Sequence, residues 1–186
     1  QARRLYDRAP QQIAKSLEAY GYYNATANGE LKETAQGFDA VVHVVPGEPT
    51  TVATLAIAVP DPARDEKIVA KALREFSPGK GERFDHAAYE KSKAAVQAAL
   101  FGSGYLEAEL VEKRVDVTRS ANTADVHLSW KVGPRFRLGE TGFEGGQFPD
   151  TFMQRYVPWK EGDFYTQDKV LELQQRLIDA DYFAIA

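Results

Sequence analysis

Markers of three different kinds return along this chain at a spacing of about 80 residues, which implies a row of small units rather than one large domain. Gly21-Tyr22-Tyr23, Gly104-Tyr105-Leu106 and Asp181-Tyr182-Phe183 each close a helical pattern, at intervals of 83 and 77 residues. Val44-Val45-Pro46-Gly47-Glu48-Pro49 is echoed by Trp130-Lys131-Val132-Gly133-Pro134-Arg135, with Gly47 and Gly133 86 apart. Gly81-Glu82-Arg83-Phe84 returns as Gly162-Asp163-Phe164-Tyr165, 81 residues on.

The middle unit reads from end to end. Residues 52–59 alternate, with Ala53, Leu55, Ile57 and Val59 on one face, which predicts a strand. Asp61 then offers an N-cap and Pro62 a first helical residue, with Asp65 and Glu66 in the first turn. Ile68, Val69, Ala72, Leu73 and Phe76 recur at helical spacing until Ser77-Pro78-Gly79 stops the helix. A second helix is expected over 85–102, with Tyr89, Val96, Ala99 and Leu100 as its stripe and Gly102 and Gly104 at its exit. Residues 106–117 look extended, but Leu106, Ala108 and Leu110 differ in phase from Val115 and Val117, so a bulge is expected near Val111-Glu112. After a turn at 119–122, Ala124, Val126, Leu128, Trp130 and Val132 alternate with polar residues, as in a sheet covered on one face.

The unit is therefore α+β, in the order β-α-α-β-β, with a three-stranded mixed sheet covered on one face by two helices. The first unit, 1–48, contributes a helix over 8–21 with Ile13, Leu17 and Tyr20 as its stripe, then a hairpin of 24–31 and 38–45. The second spans 49–133. The third, 134–186, has an expected strand at 135–143 and helices at 150–157 and 166–180. The outer units are read as incomplete, and Gln1-Ala2-Arg3-Arg4 as an internal cut point without a signal peptide. The short joints Pro46–Pro49 and Gly133-Pro134 restrict how units can turn on each other.

A repeat of this order and length resembles POTRA domains. Phe143-Glu144-Gly145-Gly146 is similar to that family's turn into its first helix, and Gly21-Tyr22-Tyr23 and Gly104-Tyr105-Leu106 to its second helix exit. Two stretches sharpen the resemblance to TamA-type proteins: Gly21-Tyr22-Tyr23-Asn24 with Val45-Pro46-Gly47-Glu48-Pro49, and Phe136-Arg137-Leu138-Gly139 through Val157-Pro158-Trp159-Lys160-Glu161-Gly162-Asp163. The resemblance implies a periplasmic arm followed by its own C-terminal β-barrel at the outer membrane. It also implies a TamB-type inner-membrane-anchored partner, and clients that are unfolded outer-membrane or autotransporter proteins. A sister reading is the POTRA row of a general barrel-insertion machine or of a two-partner secretion transporter.

Composition excludes other classes. No Cys is present, so disulfides, thiol catalysis and Cys-ligated zinc are absent. A net charge of −4, with Arg74, Lys80, Lys91 and Lys93 scattered among acids as a solvated face, offers no track for nucleic acid. The histidines His43, His86 and His127 lie far apart in sequence, and His43 and His127 read as solvent-facing strand residues rather than metal ligands. Asp61, Asp65 and Glu66 are explained by helix capping, and Ser103 follows a helix where a nucleophile elbow would precede one. Gly142, Gly145 and Gly146 read as turn glycines, without the Lys of a phosphate loop. Trp130 fits the core phase of its strand, and Trp159 follows Pro158 in a loop. The chain is read as a non-enzyme needing no metal or cofactor.

Function must then come from surfaces. An edge strand displays unpaired N–H and C=O groups on which an extended partner can add as a further strand. The strand after the second helix is the expected edge, which makes Glu109, Leu110, Val111, Glu112, Lys113 and Val115 candidate partner-binding residues, with Ala25, Ala27 and Glu30 in the first unit. The charges on 106–117 also guard against indiscriminate pairing. A protected edge with no ligand is the competing reading.

Overall fold

In a computed structural model, the described residues are 2–35, 37–144 and 148–180. Helix α1 (Ala2–Ser16) is followed by a 3-10 turn (Leu17–Tyr20) and by strands β1 (Thr26–Thr34) and β2 (Gly37–Val45). Strand β3 (Thr51–Ala58), helices α2 (Lys67–Arg74) and α3 (His86–Gly102), and strands β4 (Glu109–Thr118) and β5 (Thr123–Lys131) come next. Helices α4 (Asp150–Met153) and α5 (Gln167–Asp179) complete the described elements. The middle segment thus has the β-α-α-β-β order, and its sheet runs β3-β5-β4. Thr51 N–H donates to the Asn122 carbonyl, so β3 and β5 start side by side and run parallel, while β4 and β5 form a hairpin. The sheet is mixed, with β5 in the centre as its clean alternation predicts.

Two compact units are present: Gln1–Ile57 with Glu75–Lys93 and Glu112–Leu128, and Ala58–Arg74 with Ala94–Val111 and Ser129–Ala186. In the first, Val52, Phe76, Phe84, Tyr89, Ala124, Val126 and Leu128 are buried. The rings of Phe76 and Phe84 meet Tyr89 at 6.3 and 5.6 Å. Ser92 Oγ donates to the Ser77 carbonyl and accepts from its N–H, which pins the turn after α2. Helix α1 packs on the antiparallel β1–β2 pair. The Tyr6 ring lies over Gly29, so a side chain at that position would have to push the ring aside.

In the second unit the largest buried side chain is Trp130. Its indole N–H donates to Gln97 Oε1 at 2.9 Å, and Gln97 Nε2 donates to the Ala108 carbonyl at 2.7 Å. The core tryptophan expected from alternation therefore also has its polar edge satisfied. Val69, Val96, Leu100, Tyr105 and Val132 are buried in the same unit.

Several expected elements differ. Asp61 does not cap a helix: residues 63–65 form a 3-10 turn, Glu66 is extended, and α2 begins only at Lys67. Phe76 is buried beyond the helix end, and Ile68 is 42% exposed. Helix α1 starts earlier than residue 8 and runs through Pro10, whose fixed φ is helical. Tyr20 is 57% exposed, since the closing 3-10 turn has three residues per turn and rotates it off the Ile13–Leu17 stripe. The strand expected at 135–143 is reduced to a single bridge between Arg137 and Phe164. The helix expected at 150–157 is α4 plus a 3-10 turn, Gln154–Tyr156. Lys93 is buried rather than solvated, its ammonium 4.7 Å from the Tyr89 ring centre and 2.7 Å from a Glu90 oxygen. His127 is half-buried, whereas His43 is exposed. Burial along β4 does change phase, from Leu110 to Val115 and Val117. Asp181-Tyr182-Phe183, Gly145 and Gly146 lie outside the described residues.

Truncating Trp130 to Ala removes the largest buried side chain and strands the Gln97 amide. The expected loss is about 3–5 kcal/mol, read from the denaturant midpoint of circular dichroism.

Candidate functional site

The repeated glycines mark two joints built from main-chain groups. At the first, Tyr22 N–H donates to the Leu17 carbonyl and Gly21 N–H to the Glu18 carbonyl. This is the paired helix-end closure that needs a left-handed residue, and Gly21 has φ +85°. At the second, Tyr105 N–H donates to Leu100 and Gly104 N–H to Phe101, with Gly104 at φ +96°. Each such glycine directs its carbonyl out of the helix end. Gly21 O accepts from Thr50 N–H at 2.7 Å, and Gly104 O from Phe136 N–H at 2.8 Å.

The ladder continues alike in both places. Thr50 O accepts from Phe84 N–H, Val52 N–H donates to Glu82 O, and Val52 O accepts from Gly81 N–H. Correspondingly, Phe136 O accepts from Tyr165 N–H, Leu138 N–H donates to Asp163 O, and Leu138 O accepts from Gly162 N–H. A β-carbon on Gly21 would lie 2.7 Å from the Phe84 carbonyl oxygen, and one on Gly104 2.7 Å from that of Tyr165. Glycine is thus required twice over, for conformation and for close approach.

A guanidinium clamps each joint, but it comes from a different place. Arg119, in the turn between β4 and β5, donates to the Tyr23 carbonyl at 2.6 Å and to Glu18 Oε1 at 2.7 Å. Asn24 Nδ2 donates to the Arg119 carbonyl and to Asn122 Oδ1, both at 2.8 Å. Tyr23 Oη lies 2.5 Å from His86 Nε2. Burial, then the Glu18 carboxylate, hold the Tyr23 hydroxyl above its ordinary pKa, against the pull of Arg119. At the second joint Arg135 Nε donates to the Ser103 carbonyl at 2.9 Å, and its Nη1 pairs with Glu66. The same guanidinium lies 4.3 Å from the Phe164 ring centre and 5.8 Å from that of Tyr105. Glu66, read from sequence as a helix-dipole partner, is the counter-ion of Arg135.

The predicted rim residues fall as follows. Glu109, Leu110, Val111, Glu112, Lys113 and Val115 lie on β4, which is an edge of its sheet. Val111 is 57% exposed and Leu110 and Val115 are half-buried. Ala27 and Glu30 lie on β1, opposite Val44 and Val41 of β2. Ala25 precedes the strand, because Tyr23 and Asn24 are held by Arg119 and the extended segment begins only beyond them. Residues 106–108 likewise form a turn, with Ala108 N–H on the Tyr105 carbonyl, before β4 starts. Sequence reasoning missed Arg119, His86 and Arg135 as joint residues. Arg119 meets its partners across 95–101 positions, and no periodic pattern carries such a pairing.

Among the described residues, no group of three or more His, Asp or Glu side chains could hold a metal ion, and no helix is long and apolar enough to cross a membrane. The joints consist of amides, carbonyls, ion pairs and the Tyr23–His86 contact.

Two outcomes follow from this geometry. Gly104→Ala should cost roughly 1–3 kcal/mol from the positive φ alone, and it should speed amide exchange at Phe136 more than at β5. At the second joint, the Lys160 N–H, then the Lys169 ammonium, hold the Asp163 carboxyl below its ordinary 3.8. A lowered carboxyl pKa stabilises above the unfolded value and is lost as pH falls through the folded one. The protection factors at Leu138 and Gly162, taken against the unfolded-chain rate at each pH, should therefore fall below pH 3.8, and Asp163→Asn should flatten that dependence.

The family described as POTRA domain TamA domain 1 matches residues 1–46. The POTRA3-5 segment of BamA from Haemophilus influenzae superposes with a TM-score of 0.53 at 18% identity, over 93% of this chain and 70% of that one. BamA from Haemophilus ducreyi lacking POTRA domains 1-3 gives 0.55 at 17% identity, over 73% of this chain and 25% of that one. This chain therefore spans a quarter of the length of the H. ducreyi protein. With its β-α-α-β-β order and mixed sheet, the chain has the fold of these BamA POTRA segments, and its residues 1–46 are similar to the first POTRA domain of TamA.

Proposed function

We propose that this chain is the periplasmic, non-catalytic arm of an outer-membrane protein assembly factor, a row of POTRA units at 1–48, 49–133 and 134–186. The observation that carries the reading is the pair of matching main-chain ladders, Gly21–Thr50–Phe84 and Gly104–Phe136–Tyr165. In this reading each ladder ties the end of one helix to the start of the segment that follows the next hairpin, and the row offers strand rims to an extended client in sequence. The likeness of 93% of the chain to a BamA segment supports the arm of a general barrel-insertion machine. An arm tied to a TamB-type partner and to autotransporter clients draws its support from residues 1–46. In either case the arm's own C-terminal β-barrel would lie in the outer membrane.

The partner-binding rim in this reading is β4, through Glu109, Leu110, Val111, Glu112, Lys113 and Val115, with Ala27 and Glu30 on β1 as a second rim. Main-chain hydrogen bonds give affinity that tolerates many client sequences, and the exposed charges of β4 select against random edge pairing.

A photo-crosslinker at Val111 in cells should capture an unfolded barrel client or an inner-membrane-anchored partner. Proline at Val111 or Lys113 should cut that capture more than charge swaps do, with circular dichroism as the check on folding. Equal capture by all variants would remove β4 as the rim.

A further inference from the structure

Helices α2 and α3 differ in what they show to water. On α2 the exposed Lys67, Lys71 and Arg74 fall within an arc of about 60°, at roughly 100° per residue, opposite the buried Val69. No acid lies on α2, and Glu66 just before it is held by Arg135. This column of cations is about 10 Å long, two turns of helix. A cationic outer face is by itself ordinary solvation, and what sets this one apart is its neighbour. Helix α3 exposes Glu90 and Lys91 in its first half, but in its second half the exposed positions are Ala94, Ala95, Ala98 and Phe101. Residues 94–102 carry no charge. A β-carbon on Gly102 would lie 3.2 Å from Ile68 Cδ1, so Ile68 rests against the turn of α3 that carries Phe101. Ile68 and Phe101 nevertheless stay 42% and 41% exposed. The apolar surface of α3 thus continues onto α2 and ends at its cations, within the compact unit that holds Ala58–Arg74 and Ala94–Val111.

An exposed apolar patch rimmed by charge marks a docking surface, and its chemistry restricts the occupant. Apolar contact on one helix and cations on the next, side by side and two turns long, match a helix whose apolar stripe is flanked by carboxylates. A bilayer is the poorer match, because interfacial binding draws on a wide apolar face and on attraction to anionic lipid. This chain carries a net charge of −4, which opposes that attraction beyond the local column. We propose that the α2–α3 face, through Ile68, Phe101, Lys67, Lys71 and Arg74, docks an acidic amphipathic helix of a partner protein. The face lies apart from β4 and works through side chains rather than main-chain hydrogen bonds, so it stands or falls separately from the arm reading above.

The test uses the whole chain and a soluble peptide of roughly 18 residues, about five helical turns, with leucine at helical spacing on one face and glutamate on both sides of it. A scrambled peptide of the same composition is the control. Backbone amide resonances should shift at 67–74 and 94–102 with the first peptide and not with the second. Lys67→Glu with Arg74→Glu should weaken the peptide at least about tenfold by titration calorimetry. Phe101→Ala should weaken it about fivefold. Lys113→Glu with Arg114→Glu makes the same change in net charge on β4 and should leave the affinity unchanged. All these side chains are exposed, so circular dichroism should stay that of the parent. Equal binding of both peptides, or no binding, would overturn this inference. Shifts confined to 109–118 would overturn it and leave the arm reading intact. So would binding to anionic phospholipid vesicles as tight as to the peptide and lost in the same variants, since the occupant would then be a membrane.

Discussion

A helix must end with unsatisfied carbonyls, and how this chain satisfies them organises the rest of its structure. At Gly21 and at Gly104 the closing residue is left-handed, which lets the last turn close on itself and turns one carbonyl outward. That carbonyl receives the first N–H of the segment that follows the next hairpin, so the end of one helix sets where the next strand begins. Because the contact is main chain to main chain, it constrains conformation at the glycine and leaves the neighbouring side chains free to vary. Thr50 and Phe136 occupy the same rung although one is a small polar residue and the other an aromatic.

That freedom shows in the clamps. At the first joint the stiffening cation reaches back from a hairpin turn, and Arg119 is 58% exposed while its partner Glu18 is 29% exposed. At the second the cation sits on the entering segment itself, and Arg135 and Glu66 are 20% and 26% exposed. A more solvated pair is screened more strongly by salt, so the Arg119–Glu18 pair is the more salt-sensitive of the two. Arg135 also lies against Tyr105 and Phe164, so its position rests on packing as well as on charge.

The two rims of the sheet follow from the same geometry. With β5 in the centre, β3 and β4 are both edges, and they differ in what guards them. Strand β4 has charges along its length, and β3 has a loop over its first outward positions and nothing charged beyond. The rim recognised from the sequence is the strand after the second helix, because the clean alternation of β5 marks that strand as the central one. The other is visible only once the direction of Thr50, Thr51 and Val52 is known, because an uncharged alternating strand reads the same at an edge and at a centre.

Local patterns determined a good deal on their own. Alternation identified β5 and the buried Trp130, apolar spacing identified α3, and the period of the glycines marked both joints. These are properties of short consecutive runs, or of conformations that glycine adopts most cheaply, so they are written in the chain. Other features were decided by tertiary structure. Residues 135–143 alternate well enough to suggest a strand, yet an extended run forms a sheet only where a neighbour supplies hydrogen bonds, and here the short stretch 136–138 finds them, at Gly104 and 162–165. Asp61 looks like a cap, but the chain enters a 3-10 turn instead and Glu66 is drawn to Arg135, 69 residues away. Pairings of that kind join residues with no regular separation, so periodicity in the sequence cannot encode them, and only the folded chain brings the partners within reach.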